Sequence, residues 1–106
     1  MNTLTDRRLI LQSKLEELLG SRNVYFQPPE TLKMKYPCIR YEKVRPMAEH
    51  ADDMRYFKKD HYELTVIDTN PDTEIPDQLA NTLQYCSIDR YYKSSNLTHC
   101  SLDLYF

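Results

Sequence analysis

The chain has 106 residues, one glycine, six prolines, three cysteines, no tryptophan and nine tyrosines, and its 14 Lys and Arg against 16 Asp and Glu give a net charge of −2. That length suits one domain of common size and leaves no room for a catalytic core plus a second module. Soluble proteins average about 7% glycine, so roughly seven are expected; with Gly20 alone, a P-loop, a GxGxxG turn and a nucleophile elbow are excluded, because each needs glycine where backbone approaches phosphate or turns sharply.

The two signs of charge are mixed along the sequence, which gives little of the clustered cation that non-specific nucleic-acid binding requires. Hydrophobic residues make up 41% and charged residues 28%, an ordinary globular balance and too apolar for disorder. No apolar run approaches the roughly 20 residues that span a bilayer, and the start lacks the basic, apolar, small-residue order of a signal peptide. The expected setting is a cytosol, or a particle assembled in one, with no membrane partner. Cys38, Cys86 and Cys100 are odd in number, far apart and without a CxxC pair, so neither a disulfide framework nor a zinc ribbon is written locally and reduced thiols are expected.

From Asn2 to Leu19 the spacing predicts a helix. At about 100° per residue Leu4, Leu11, Leu15, Leu18 and Leu19 share one arc, while Asp6, Lys14, Glu16 and Glu17 lie outside it. Thr3 or Thr5 can cap its start, and Gly20 stands where a left-handed C-terminal residue is wanted. Leu9 and Ile10 miss the stripe on opposite flanks; they are scattered surface apolars or contacts for a partner.

Asn23 to Phe26 can form a short strand, stopped by Pro28 and Pro29. Tyr36 to Val44 reads as a strand whose early proline suits a strand start or an edge. Pro46 to Asp53 is a polar excursion, and Met54 to Asp68 a long strand or hairpin arm in which Tyr62, Leu64 and Val66 alternate with Glu63 and Thr65. This strand should pair with the preceding one. Thr69 to Thr73 is turn chemistry, with Asn70 and Asp72 able to bond their own backbone. Pro76 opens a second helix ending near Gln84, with Ile75, Leu79 and Leu83 every fourth position. Cys86 to Tyr92 is a strand, Lys93 to Asn96 a turn, and Leu97 to Phe106 a final strand with Cys100, Leu102, Leu104 and Phe106 on one face. The pattern predicts an α+β fold, a mainly antiparallel β-sheet with two helices packed on one face, as a single domain over residues 1–106.

Candidate chemistry is sparse. Zinc needs three or four ligands around one point, yet His99 and Cys100, adjacent in a strand, point to opposite faces. Cys100 shares its face with Leu102 and Leu104, so a buried, inert thiol is expected there and also at Cys38 and Cys86. His50, His61 and His99 are too dispersed to group. Glu49, Asp52 and Asp53 lack the glycine turn and alternating oxygens of a calcium loop and read as a solvated acidic loop. The tyrosines are the one excess. Tyr91 and Tyr92, beside Arg90 and Lys93, are similar to the stacking platforms of single-strand binders, but the aromatic RNP-type run and its glycines are missing and the net charge has the wrong sign, so a protein interface or sheet packing is favoured. Asn96-Leu97-Thr98 matches a glycosylation acceptor without a secretion signal to give it meaning.

Tyr36-Pro37-Cys38-Ile39, Tyr62 with Leu64-Thr65-Val66-Ile67-Asp68, Pro71-Asp72, Ile75-Pro76, Cys86 with Asp89-Arg90 and Tyr92, and Asn96-Leu97 with His99 before Leu104-Tyr105 resemble a family of small head-to-tail joining proteins of long-tailed bacteriophages, the tail-terminator and tail-completion proteins. The resemblance covers about two thirds of the chain; it departs from the family pattern where Gln84-Tyr85 stands in place of Leu-Pro before the second cysteine. It implies an α+β virion structural protein, not an enzyme, assembled in the host cytoplasm. Such a subunit forms a ring with itself, commonly a hexamer, at the head-proximal end of the tail tube. Its partners would be the tail tube protein and neck or connector proteins, with DNA passing through the ring and no specific nucleic acid bound. The alternatives are a minor capsid or head-tail connector component on the portal side and, from another class, a small single-stranded nucleic-acid-binding protein. No catalytic, cofactor-binding or metal-binding residue is assigned. Leu9, Ile10, Tyr91 and Tyr92 are the candidate oligomer or partner contacts.

Overall fold

A computed structural model of the protein describes residues 3–44 and 59–106, with side chains from Arg7 onward in the first helix. Helix α1 runs from Thr3 to Leu19. Leu11 and Leu15 are fully buried and Leu18 and Leu19 pack against the core from its margin, so the four described leucines of the expected stripe do face inward. Leu4's side chain and the expected helix start at Asn2 lie outside the described residues; Thr5 sits inside the helix and is not its cap. Gly20 ends the helix with φ of +81° and its N–H donates to the Glu16 carbonyl at 2.9 Å, the left-handed closure that glycine adopts most readily.

Strand β1 (Val24–Phe26) is followed by β2 (Cys38–Val44), which Pro37 immediately precedes. The polar stretch from Pro46 to Asp53 and the first part of the expected Met54–Asp68 arm lie outside the described residues; the described strand, β3, is His61–Asp68. The turn after it uses Asp68 and Asn70, whose Oδ1 atoms accept the N–H of Asn70 at 3.1 Å and of Asp72 at 2.9 Å. Helix α2 (Ile75–Thr82) carries Pro76 and Asp77 in its first turn. It stops short of the expected Gln84, because Leu83 swings to an extended conformation and its N–H closes on the Leu79 carbonyl, a geometry that buries Leu83 in the core. Strand β4 spans Cys86–Ser94 and β5 spans Leu97–Tyr105. The turn between them is only Ser95 and Asn96, both at positive φ (52° and 63°), tighter than the four-residue turn the composition suggests.

The five strands form one sheet in the order β1-β2-β3-β5-β4. β1 and β2 are parallel; every other pair is antiparallel. Alternation divides each strand. Ile39, Tyr41, Tyr62, Leu64, Val66, Cys100, Leu102 and Leu104 point to one face and join Leu11, Leu15, Leu79 and Leu83 in a single core. Both helices therefore cover the same face, as expected of an α+β fold. The opposite face carries Glu42, Glu63 and Asp103 directly across from one another on three neighbouring strands.

Candidate functional site

β4 closes one end of the sheet, and its exposure follows from that position. Beyond Ile88 every residue of the strand is exposed. Its hydrogen bonds to β5 leave the other side of its backbone without a strand partner among the described residues. The opposite end is different: β1 has three residues, the Val24 carbonyl accepts from Gln12 Nε2 at 3.0 Å, and the Arg8 guanidinium lies 4.4 Å above the Phe26 ring. Shortness and side-chain cover are the usual means of blunting a sheet edge. A β-bulge between Ile88 and Arg90 is the main device that interrupts β4.

Tyr91 and Tyr92 are 49% and 40% exposed, but they stand on opposite faces of the sheet. Tyr91 lies opposite Cys100, on the helix side. Its hydroxyl is pushed above the usual range by partial burial, by the Cys100 thiol and by the Asp77 carboxylate. Tyr92 lies opposite His99 and stacks on its ring at 4.9 Å, with the Arg90 guanidinium 5.2 Å from the Tyr92 ring. The two tyrosines and their cations do not make one base-stacking platform. Arg90 goes with Tyr92, and Lys93 alternates to the Tyr91 side.

Leu9 and Ile10 are 50% and 52% exposed. Arg8 and Gln12 fix the rotation of α1 by reaching Phe26, Tyr41 and Val24, so Leu9 falls on the β1 side of the helix and Ile10 on the side toward α2. The sequence reading missed Leu32, Tyr36 and Tyr85, which are also large and exposed. Nothing in their spacing marks them; they lie in the connections to either side of the sheet.

The thiols differ in setting. Cys38 and Cys100 are buried and Cys86 is half-buried near the start of the edge strand. Burial pushes the thiols of Cys38 and Cys86 up to about 11 and raises Cys100 as well, so none is poised as a nucleophile. His99 and Cys100 do alternate across the sheet. His61 Nε2 lies 2.9 Å from Asp103 Oδ1, its ring stacked at 4.6 Å on Tyr105; His99 is six strand positions away in register from that pair, so the two histidines do not converge. Among the described residues no three His, Cys, Asp or Glu side chains converge on a metal position; His50, Glu49, Asp52 and Asp53 lie outside them. An open cleft of about 250 Å³ between the end of α2 and the end of β5, lined by Lys14, Lys59, Leu83, Tyr85 and Phe106, is smaller than the roughly 300–1,000 Å³ usual for ligand pockets. No helix among the described residues is long and apolar enough to cross a membrane.

Comparison with family models, with curated proteins and with solved structures finds no match to this chain.

Proposed function

We propose that the protein is a virion structural subunit, a tail terminator or tail-completion protein that forms a homo-oligomeric ring at the head-proximal end of a bacteriophage tail tube and joins it to the neck. The observation that carries this reading is the nine-residue edge strand β4, whose outer backbone groups and exposed Tyr91 and Tyr92 offer material for assembly. The exposed Leu9 and Ile10 on α1 add apolar surface of the kind found in the cores of interfaces. A ring needs two complementary surfaces that meet head to tail around a closed rotation, and a sheet open at one end meets the first half of that requirement. The family resemblance over residues 36–106 supplies the biological setting, and the net charge of −2 suits a conduit that lets DNA pass without gripping it.

The test is assembly with a bacteriophage tail tube protein. Light scattering and negative-stain electron microscopy should find rings, and tubes capped at one end. A protein that stays monomeric and leaves tube ends uncapped removes the reading. A minor capsid or connector subunit on the portal side would instead co-assemble with the neck proteins and ignore the tube.

A further inference from the structure

Only one end of the sheet is open to a further strand. At the β1 end Val24 is buried, its carbonyl is held by Gln12 at 3.0 Å, and Arg8 covers Phe26. At the β4 end every residue from Asp89 to Ser94 is exposed, and no described strand lies beyond it. A sheet with one open end has a single way to be continued by a second copy: the same edge meets itself across a two-fold axis, and the contact closes at the dimer. With that axis perpendicular to the sheet the two edges run antiparallel, the more stable arrangement, and both helix layers stay on one side.

Backbone polarity and the bulge select the register. The two-residue turn makes Ser94 and Leu97 exchange both of their hydrogen bonds. Tyr92, opposite His99, then turns its N–H and C=O toward β5 as well, and Tyr91 and Lys93 turn theirs outward. An axis passing beside Tyr92 pairs Tyr91 of each copy with Lys93 of the other, and both pairs exchange their backbone hydrogen bonds. An axis beside Tyr91 would set Lys93 against Asp89. That residue belongs to the bulge, and its side chain is held on the open face, where it accepts from the Ser101 hydroxyl at 3.1 Å. An axis beside Lys93 would set Tyr91 against Ser95 in the left-handed turn. The Tyr92 axis alone uses every outward group between the bulge and the turn.

We propose that the free chain forms a two-fold dimer in which β4 pairs antiparallel with β4 of a second copy, Tyr92 beside Tyr92 at the axis. The side chains fit this pairing. His99 already stacks on Tyr92 at 4.9 Å, so the open face gains an aromatic row, His99 and Tyr92 of one copy followed by Tyr92 and His99 of the other. On the helix-covered side Tyr91 lies opposite Lys93 of the other copy, whose aliphatic stem and ammonium both suit an aromatic ring. Arg90 comes opposite Ser94. Neither cation stands directly opposite a like charge, the placement that would oppose pairing. The exposed rings of Tyr91 and Tyr92 are covered, while β1 at either outer end stays blunted, so growth stops at two copies. The dimer goes beyond the ring reading and does not depend on it; a ring contact made by β4 requires the pair to part first.

Sedimentation equilibrium of the free wild-type chain should show a dimer that dissociates on dilution. Lys93→Pro removes an outward N–H and no bond to β5, a change that an edge strand tolerates. It should keep a cooperative thermal transition and weaken dimerisation about tenfold. Tyr92→Cys tests the register without altering the backbone. In a non-hydrogen-bonded pair the Cα atoms are about 4.5 Å apart, within disulfide reach, so mild oxidation should give a covalent dimer that a reductant reverses. Tyr91→Cys and the wild-type chain should give none, because the two Tyr91 positions are diagonal across the seam and too far apart to bridge. A wild-type chain that is monomeric at every concentration overturns the proposal. So does a dimer that Lys93→Pro leaves intact and Tyr92→Cys fails to link, and so does linking through Tyr91→Cys in place of Tyr92→Cys. Failure to cap tail tubes removes the ring reading and leaves the dimer standing.

Discussion

Tyr41 holds three elements together. It is fully buried, its hydroxyl donates to Gln12 Oε1 at 2.6 Å, and the same Gln12 side chain donates to the Val24 carbonyl, so one phenol on β2 fixes how α1 sits over β1. Tyr41→Phe keeps the ring and strips Gln12 of its donor; urea unfolding should show a loss of about 1–2 kcal/mol. The thiols give a pH signature. A buried thiol raised to about 11 from 9.0, as at Cys38, stays protonated in the folded chain while the unfolded chain ionises. The stability it supports is full below pH 9 and falls as pH rises toward 11, by about 1.4 kcal/mol per pH unit for that one group. Tyr41 and Tyr62, raised mainly by burial, act in the same direction from pH 10. Thermal melts should be nearly level from pH 7 to 8.5 and drop steeply by pH 10.5, and a flat profile to pH 10.5 would contradict the burial of Cys38. The inward direction of Cys100 was legible from alternation with Leu102 and Leu104. The stacking of Tyr92 on His99 was not, since it depends on the β4–β5 register, which a change of one residue in turn length would shift.

The helices and strands are legible wherever periodicity is strong, and the discrepancies fall at their ends. Composition alone suggests a turn over Lys93 to Asn96, but strand pairing continues through Ser94 and compresses the reversal into Ser95 and Asn96, both at positive φ. A turn of this hand favours Asn-Gly. The double change Ser95→Asn and Asn96→Gly should therefore stabilise the protein by about 0.5–1 kcal/mol in equilibrium unfolding, by relieving left-handed backbone at two side-chain-bearing residues. On the open face Glu63 stands between Glu42 and Asp103, and like charges directly opposite in a sheet are destabilising. Glu63→Lys turns two repulsions into two attractions and should raise the urea midpoint by the equivalent of about 0.5–1 kcal/mol, with the gain shrinking in high salt. This row of acids could not be read from the sequence, because three residues far apart in the chain become neighbours only through register.

For the molecule as a whole, the α+β class was legible, while the sheet order and the parallel β1–β2 pair were not. Hydrophobic alternation states which residues are inside without stating which strand lies beside which. The candidate contacts Leu9, Ile10, Tyr91 and Tyr92 are all exposed, yet that Tyr91 and Tyr92 stand on an edge strand emerged only from the strand order. That order has a temporal side. β5 is inserted between β3 and β4, so the strand made after all the other described elements is the one that completes the middle of the sheet. A nascent chain that has not yet released Leu97 to Tyr105 carries β3 with one ladder open and β4 with no neighbour at all. A chain ending at Asn96 should accordingly show no cooperative thermal transition by circular dichroism, since it lacks the buried Cys100, Leu102 and Leu104. During synthesis the sheet can build from β1 through β3, but it is completed only in a late step, when the tight β4–β5 hairpin forms and docks on β3. Until then β3 and β4 both expose unpaired strand, and a quick hairpin shortens the time in which either can pair with another chain.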